Sequence, residues 1–456
     1  MKRVLTIISA FLLTFCFAAE TYAQTDWTAT QSAGGSLQGN FILRSDVTLG
    51  STINIQNGTS LTIDLNGHTI TFPKGKGRVC LCYETGELTI KDSSPDKKGV
   101  ITGGEGDRGG FIYLIGKFNF LGGTIKNAHA KYNGAEGYNY ENAFTNGVGG
   151  AVYVQSGAEF IMDGGNIENC SASGYVYSSE LGANINGKYY AQDGIGWMPH
   201  MGGAVFVNAL EGKGGKFHFK SGTIKNCFSG VGGAVCVHVA QSSYAAAGSA
   251  GEFIMDDGKI IDCKCDYLWA NYTYGGGAVF VAGKSINGME LAAKFIMNGG
   301  TISGCTSATH GGGIKTQGIV EMHGGTITDC KCDVFDHNQQ FGGGVHIYRD
   351  LASFTMTGGT ISNCTASSGG GVMVWGNNDS EKPIFIMNGD PATTKISGCK
   401  ARGNGNGGAV YVQQSTFNFI NGTLSDNDAE RYGGAININE TAILTLEGRC
   451  KIQGNR

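Results

Sequence analysis

One pattern dominates the chain and limits what it can fold into. Gly-Gly-Ala-Val-Tyr-Val at 149–154 returns at 202–207, 232–237, 276–281, 312–316, 343–347, 370–374, 407–412 and 433–438. A second element follows, Phe-x-Met or a close variant with a glycine turn and an isoleucine, at 160–167, 253–260, 295–302 and 354–361. A third reads Ile-x-x-Cys, as at 361–364. Each element alternates apolar and other residues over four to five positions, the period of a short strand, and glycine turns separate them. Such a repeat cannot bury its apolar face alone; it must stack on its neighbours.

Only 25 residues separate Cys305 from Cys330, room for one turn of a solenoid built from three short strands. Equivalent strands then pile up in register as parallel strands about 4.8 Å apart. The ladders this implies are Val152, Val205, Val235, Val279, Ile314, Val345, Val372 and Val410; Phe118, Phe160, Phe217, Phe253, Phe295, Phe354, Phe385 and Phe417; and Ile125, Ile167, Ile224, Ile260, Ile302, Ile327, Ile361 and Ile396. Residues 61–70 and 88–90 alternate in the same way and read as opening coils. A left-handed hexapeptide helix and a leucine-rich repeat lack their required rhythms here.

Composition supports this reading. The 77 glycines would suggest a disordered chain, but 41% hydrophobic residues with 23 Phe and 18 Tyr are too much apolar material for a solvated coil. The net charge of −4 is scattered, and no basic stripe points to nucleic acid. At the N-terminus Lys2 and Arg3, an apolar run at 4–19 and Thr21-Tyr22-Ala23 make a secretory signal with cleavage after Ala23. Cys16 offers a lipoprotein reading, against which stands the bulky Phe15. No later stretch has the ~18 apolar residues of a spanning helix. The expected organisation is a signal peptide at 1–23 and one domain at 24–456. Within it, 24–110 forms the N-terminal cap and first coils, and 111–456 the regular repeats, about twelve to thirteen coils in all.

The Gly-Gly-Ala-Val strand followed by Ile-x-Asn-Cys-x-Ala resembles the repeats of right-handed parallel β-helix proteins, in particular the polymorphic outer-membrane protein and adhesin type. The 64–70 segment, Asp-Leu-Asn-Gly-His-Thr-Ile, is similar to the opening coils of such exported bacterial proteins. The resemblance implies an all-β, right-handed parallel β-helix, secreted or displayed on the cell surface or outer membrane. It carries fold rather than activity. Arg456 falls in the middle of a coil with no polar cap in sight, so the polypeptide is expected to continue or this end to dock against a partner.

Of 14 cysteines, all but Cys16 lie in the mature part. Cys170, Cys227, Cys263, Cys305, Cys330, Cys364 and Cys399 share one slot, which Ala128 and Asn427 also fill. A slot that takes Ala, Cys or Asn is small and inward, so a core ladder of thiols is expected. Disulfides between neighbouring coils are the alternative in an oxidising compartment. The Cys-x-Cys pairs at 263–265 and 330–332 lack the spacing and histidines of a zinc site.

No catalytic set, metal site or cofactor emerges. The outward rows of the first strand contain no carboxylate, and Asp262, Asp329 and Asp426 share a slot without being on adjacent coils. A polysaccharide lyase or glycoside hydrolase is therefore the second reading. The first is a non-enzymatic binding or adhesion scaffold for glycans or host proteins. Its candidate binding residues are an outward aromatic row, Tyr153, Phe206, Phe280, His346, Tyr348, Trp375 and Tyr411. To these are added Tyr189, Tyr190, Trp197 and Trp269 on insertions at 131–148, 173–201, 266–274 and 333–341. Tyr and Trp offer large contact area at small entropic cost, and the insertions all leave from one corner. The competing possibility is that the insertions fold over the row and cover it.

Overall fold

The computed structural model describes residues 24–132, 147–174, 184–185, 188–189, 200–210, 212–240, 248–266, 274–286, 289–332, 340–349, 351–376, 382–439 and 441–456. Residues 1–23, read above as a secretory signal, and the middles of all four insertions lie outside the described residues.

Nearly every described element is a strand, and the long sheets are parallel. Three of them dominate, with 23, 13 and 10 strands; the first two span nearly all the described residues, and the third starts at Glu105. The Gly-Gly-Ala-Val strands form the 13-stranded sheet, where Val205 pairs with Val235, Val235 with Val279 and Val279 with Ile314. Both the phenylalanine and the isoleucine strands belong to the 23-stranded sheet; Phe253 pairs with Phe295 and Ile260 with Ile302. The arrangement is solenoid-like and compatible with a parallel β-helix.

A rung has four strands rather than the three expected. The fourth is a two-residue strand just past the cysteine, such as Lys264–Cys265 or Thr306–Ser307, and these make the 10-stranded sheet. What creates it is the residue before the cysteine. Asn169, Asn226, Asp262, Asp329 and Asn363 there have φ of 53 to 55°, and Gly304 and Gly398 have 64°. That left-handed conformation is open to Gly and, among other residues, most readily to Asn and Asp. The chain bends at this corner, and the cysteine starts a new face. The shared aspartate slot is thus a backbone requirement rather than a reactive row.

The Gly-Gly turn has two separate causes. Gly232 sits at φ 61°, while Gly233 faces the next rung so closely that a Cβ would lie 2.1 Å from the carbonyl oxygen of Gly277. The first glycine serves conformation and the second serves rung spacing.

Inside, like stacks on like. The rings of Phe160, Phe217, Phe253 and Phe295 follow one another at 4.7, 4.8 and 4.6 Å, within 6° of parallel. Val320 interrupts the stack before Phe354 resumes it. The seven slot cysteines are buried and unpaired, with their Sγ atoms near backbone carbonyls; Cys305 Sγ is 3.4 Å from the Ser303 oxygen. Burial pushes the thiols of Cys170, Cys263, Cys305 and Cys364 up. Asn427 uses the same slot by donating to the Ile396 carbonyl at 3.0 Å and accepting from the Cys399 amide at 3.0 Å. At the start of the domain Trp27 packs edge-on against Phe41, and the last rung exposes Ile438, Ile443, Leu446 and Ile452.

Candidate functional site

The outward aromatic row does form a column on the 13-stranded sheet, but it is not exposed. Tyr153, Phe206, Phe280, His346, Tyr348, Trp375 and Tyr411 are all buried, none more than 9% accessible. Strand alternation sets which side of the sheet a residue faces; it does not say whether something lies over that side. Here the ends of two insertions do. Tyr274 closes one, with its ring 6.1 Å from that of Phe280, and Phe341 closes another, 5.2 Å from Trp375. Polar caps complete the cover: Asn208 donates to the Tyr153 hydroxyl at 2.8 Å and Asn439 to that of Tyr411 at 3.2 Å.

The row also holds a buried lysine. Lys315 Nζ lies 2.9 Å from His346 Nδ1 and 4.3 Å from the centre of the Tyr348 ring. Burial, reinforced by the Arg349 guanidinium, holds its ammonium well below the ordinary lysine range. Burial likewise depresses His346, and His310 packs 5.0 Å from it. A lysine so placed acts as a hydrogen-bonding amine inside a closed aromatic cluster. Of the candidates on insertions, Tyr189 belongs to a small antiparallel pair, Asn184–Ile185 with Lys188–Tyr189. Tyr190, Trp197 and Trp269 lie outside the described residues.

A different place is open. A cleft of about 500 Å³ runs along the 10-stranded sheet, lined by Phe72, Lys74, Glu105, Asn127, His129, Lys131 and Ser173 with the backbone of Gly103 and Gly104. Glu105, His129, Lys131 and Ser173 come from three consecutive rungs, the strands Glu105–Gly106, His129–Tyr132 and Ser171–Gly174. Register places Glu105, His129 and Ser171 in one column, and Lys131 beside Ser173 two residues on. The imidazole of His129 is held at both nitrogens, Nδ1 2.8 Å from Ser171 Oγ and Nε2 3.0 Å from Ser173 Oγ. Lys131 Nζ lies 3.9 Å from Glu105. Burial lowers the His129 pKa, and the Glu105 carboxylate works in the opposite direction.

None of these cleft residues stood out in the sequence, because strands of two to four residues are too short to show a period. The signal that could have found them is the position one past the cysteine slot: His129 follows Ala128 and Ser171 follows Cys170. Among the described residues no three His, Cys, Asp or Glu side chains gather as a metal ion would need, and no helix is long and apolar enough to cross a membrane.

No family model, curated protein or solved structure matches the chain.

Proposed function

We propose that the chain is an exported, right-handed parallel β-helix of the adhesin type, displayed at the cell surface or secreted, that binds glycans or host-surface proteins. In this reading the rod is the rigid support and the cleft on the 10-stranded sheet is the contact site. The observation that carries it is the position of that cleft: it opens where two insertions, at 131–148 and 173–201, leave neighbouring rungs. Loops raised on a rigid scaffold are where binding function concentrates. Asn127, Glu105 and the two lysines offer donors and acceptors of the kind that sugar hydroxyls use.

Export rests on the basic, apolar and small-residue order of residues 1–23, and the handedness and family type rest on the repeat motifs. One carboxylate, Glu105, lines the cleft among the described residues, whereas glycosidic cleavage calls for a pair. That favours binding over a lyase or glycoside hydrolase. The test is a glycan array and a cell-adhesion assay with the mature protein and a Glu105→Gln/Lys131→Met double variant. The wild type should bind and the variant should lose at least tenfold in affinity. Binding undiminished in the variant would remove the cleft from the reading, and no binding on either platform would remove the reading itself.

A further inference from the structure

We infer that the cleft is also a carboxylic-ester hydrolase site, in which Ser173 is the nucleophile and His129 the general base, acting on O-acyl groups of a bound glycan. This rests on the cleft as a ligand site, but it is carried by a separate observation, the clamp on the imidazole. A serine hydroxyl is a weak nucleophile until a base within hydrogen-bond reach takes its proton and a third group fixes that base. All three parts are present on two neighbouring rungs. Ser173 Oγ is 3.0 Å from His129 Nε2, and Ser171 Oγ is 2.8 Å from Nδ1. If Nδ1–H donates to Ser171 Oγ, Nε2 is left with its lone pair toward Ser173. A histidine needed only for packing would not require both nitrogens held by hydroxyls beside an open cleft.

The remaining groups fit the charge that develops. Lys74 and Lys131 line the cleft, cations where an ester oxygen gains negative charge. Glu105 occupies the rung before His129 in the same column and favours the imidazolium that forms as the proton moves. The burial that lowers the His129 pKa keeps the imidazole neutral, and so able to accept a proton, at neutral pH.

Ser173 Oγ forms a bond to the ester carbonyl carbon as its proton passes to His129 Nε2 and the carbonyl π pair moves onto oxygen. Collapse breaks the bond to the alkoxy oxygen, which takes the proton from Nε2 and leaves as the glycan hydroxyl. Water then adds to the acyl-serine, its proton going to Nε2, and a second collapse releases the carboxylic acid and restores Ser173. The sum is ester plus water giving acid plus alcohol. Ser173 and His129 are the catalytic residues; Ser171 and Glu105 are positioning residues.

The experiment treats the folded mature protein with a fluorophosphonate probe, maps the labelled peptide, and follows p-nitrophenyl acetate hydrolysis in parallel. Label should fall on Ser173 and disappear in Ser173→Ala, and His129→Gln should slow both reactions by at least about 100-fold, the range of a lost general base. Ser171→Ala should retain Ser173 labelling while shifting the acid limb of its pH profile, which a purely structural hydroxyl would not do. In the wild type that limb should lie below pH 6.5, with a plateau through neutrality. Labelling no greater than on urea-unfolded protein, or hydrolysis unchanged in folded Ser173→Ala, overturns the proposal. Glycan binding retained by Ser173→Ala separates its failure from that of the binding reading. A labelled Ser173 with a blank glycan array would do the reverse.

Discussion

Phe253→Ala tests what holds one rung to the next. Phe253 is fully buried between the parallel rings of Phe217 at 4.8 Å and Phe295 at 4.6 Å. A buried Phe covers about 150–250 Å², which at about 25 cal/mol per Å² corresponds to roughly 4–6 kcal/mol of apolar burial. Alanine keeps part of that, and removal of two ring contacts at about 0.5–1.5 kcal/mol each adds to the loss. Core Phe→Ala changes converge on about 3–5 kcal/mol, and a rung pinned by hydrogen bonds on both sides cannot collapse far to close the gap.

Because a solenoid's rungs interact with their neighbours only, the loss should be local rather than global. Hydrogen exchange followed by mass spectrometry is the fitting assay. At about 1.4 kcal/mol per tenfold, peptides spanning 216–225, 252–265 and 294–307 should exchange roughly 10²- to 10³-fold faster, while those beyond residue 384 stay unchanged. An acceleration below tenfold in the 252–265 peptide would refute the stacked core. An equal acceleration along the whole rod would refute the nearest-neighbour account of its stability.

Other expectations follow from particular residues. A thiol titration of urea-unfolded, never-reduced protein spanning residues 24–456 should find all thirteen of its cysteines free, and the native protein should react slowly; six bridges and one thiol would contradict the ladder. Asn363→Gly should be nearly neutral, because Asn363 sits at φ 54°. Asn363→Val at the same corner should cost about 1–3 kcal/mol in thermal or urea unfolding. His238 is buried, and that burial pushes its pKa down to about 4 from an ordinary 6.5. The unfolded chain then binds the proton first, so stability is full above about pH 6.5 and falls as pH drops toward 4. The loss is roughly 3 kcal/mol at 1.36 kcal/mol per unit. His238→Asn should flatten that part of the pH–stability curve.

The inward columns were legible in the sequence because each contains one residue type whose volume its neighbours fix. Val205 over Val235, Phe253 over Phe295 and the slot cysteines can be read without a structure, and so can their register. Three features could not be read in this way. The fourth strand is only two to four residues long and has no period to detect; its cause, the left-handed Asn, Asp or Gly before the cysteine, looks in sequence like an ordinary turn position. Burial of the aromatic row depends on where Tyr274 and Phe341 return from their insertions, and alternation contains no such information. The cleft depends on counting register across insertions of unequal length, which moves Ser171 to within reach of His129 although 42 residues separate them.

That last point bears on where chemistry can arise on such a rod. An outward column is free to vary, since its side chains meet solvent rather than a fixed volume. Half of this one is lysine or threonine: Lys264, Thr306, Lys331, Thr365 and Lys400 follow one another on successive rungs. Reactive groups on consecutive rungs stand about 4.8 Å apart, close enough for direct side-chain hydrogen bonds between them. Asp262, Asp329 and Asp426 fail that condition and are explained by their backbone. Glu105, His129 and Ser171 meet it, next to the two insertions and over an open cleft. The column departs from lysine and threonine at Glu105, His129, Ser171 and Phe228 at one end and at Asp428 at the other; of these, Glu105, His129 and Ser171 stand on consecutive rungs beside an open cleft, and it is that juxtaposition that makes them a candidate site.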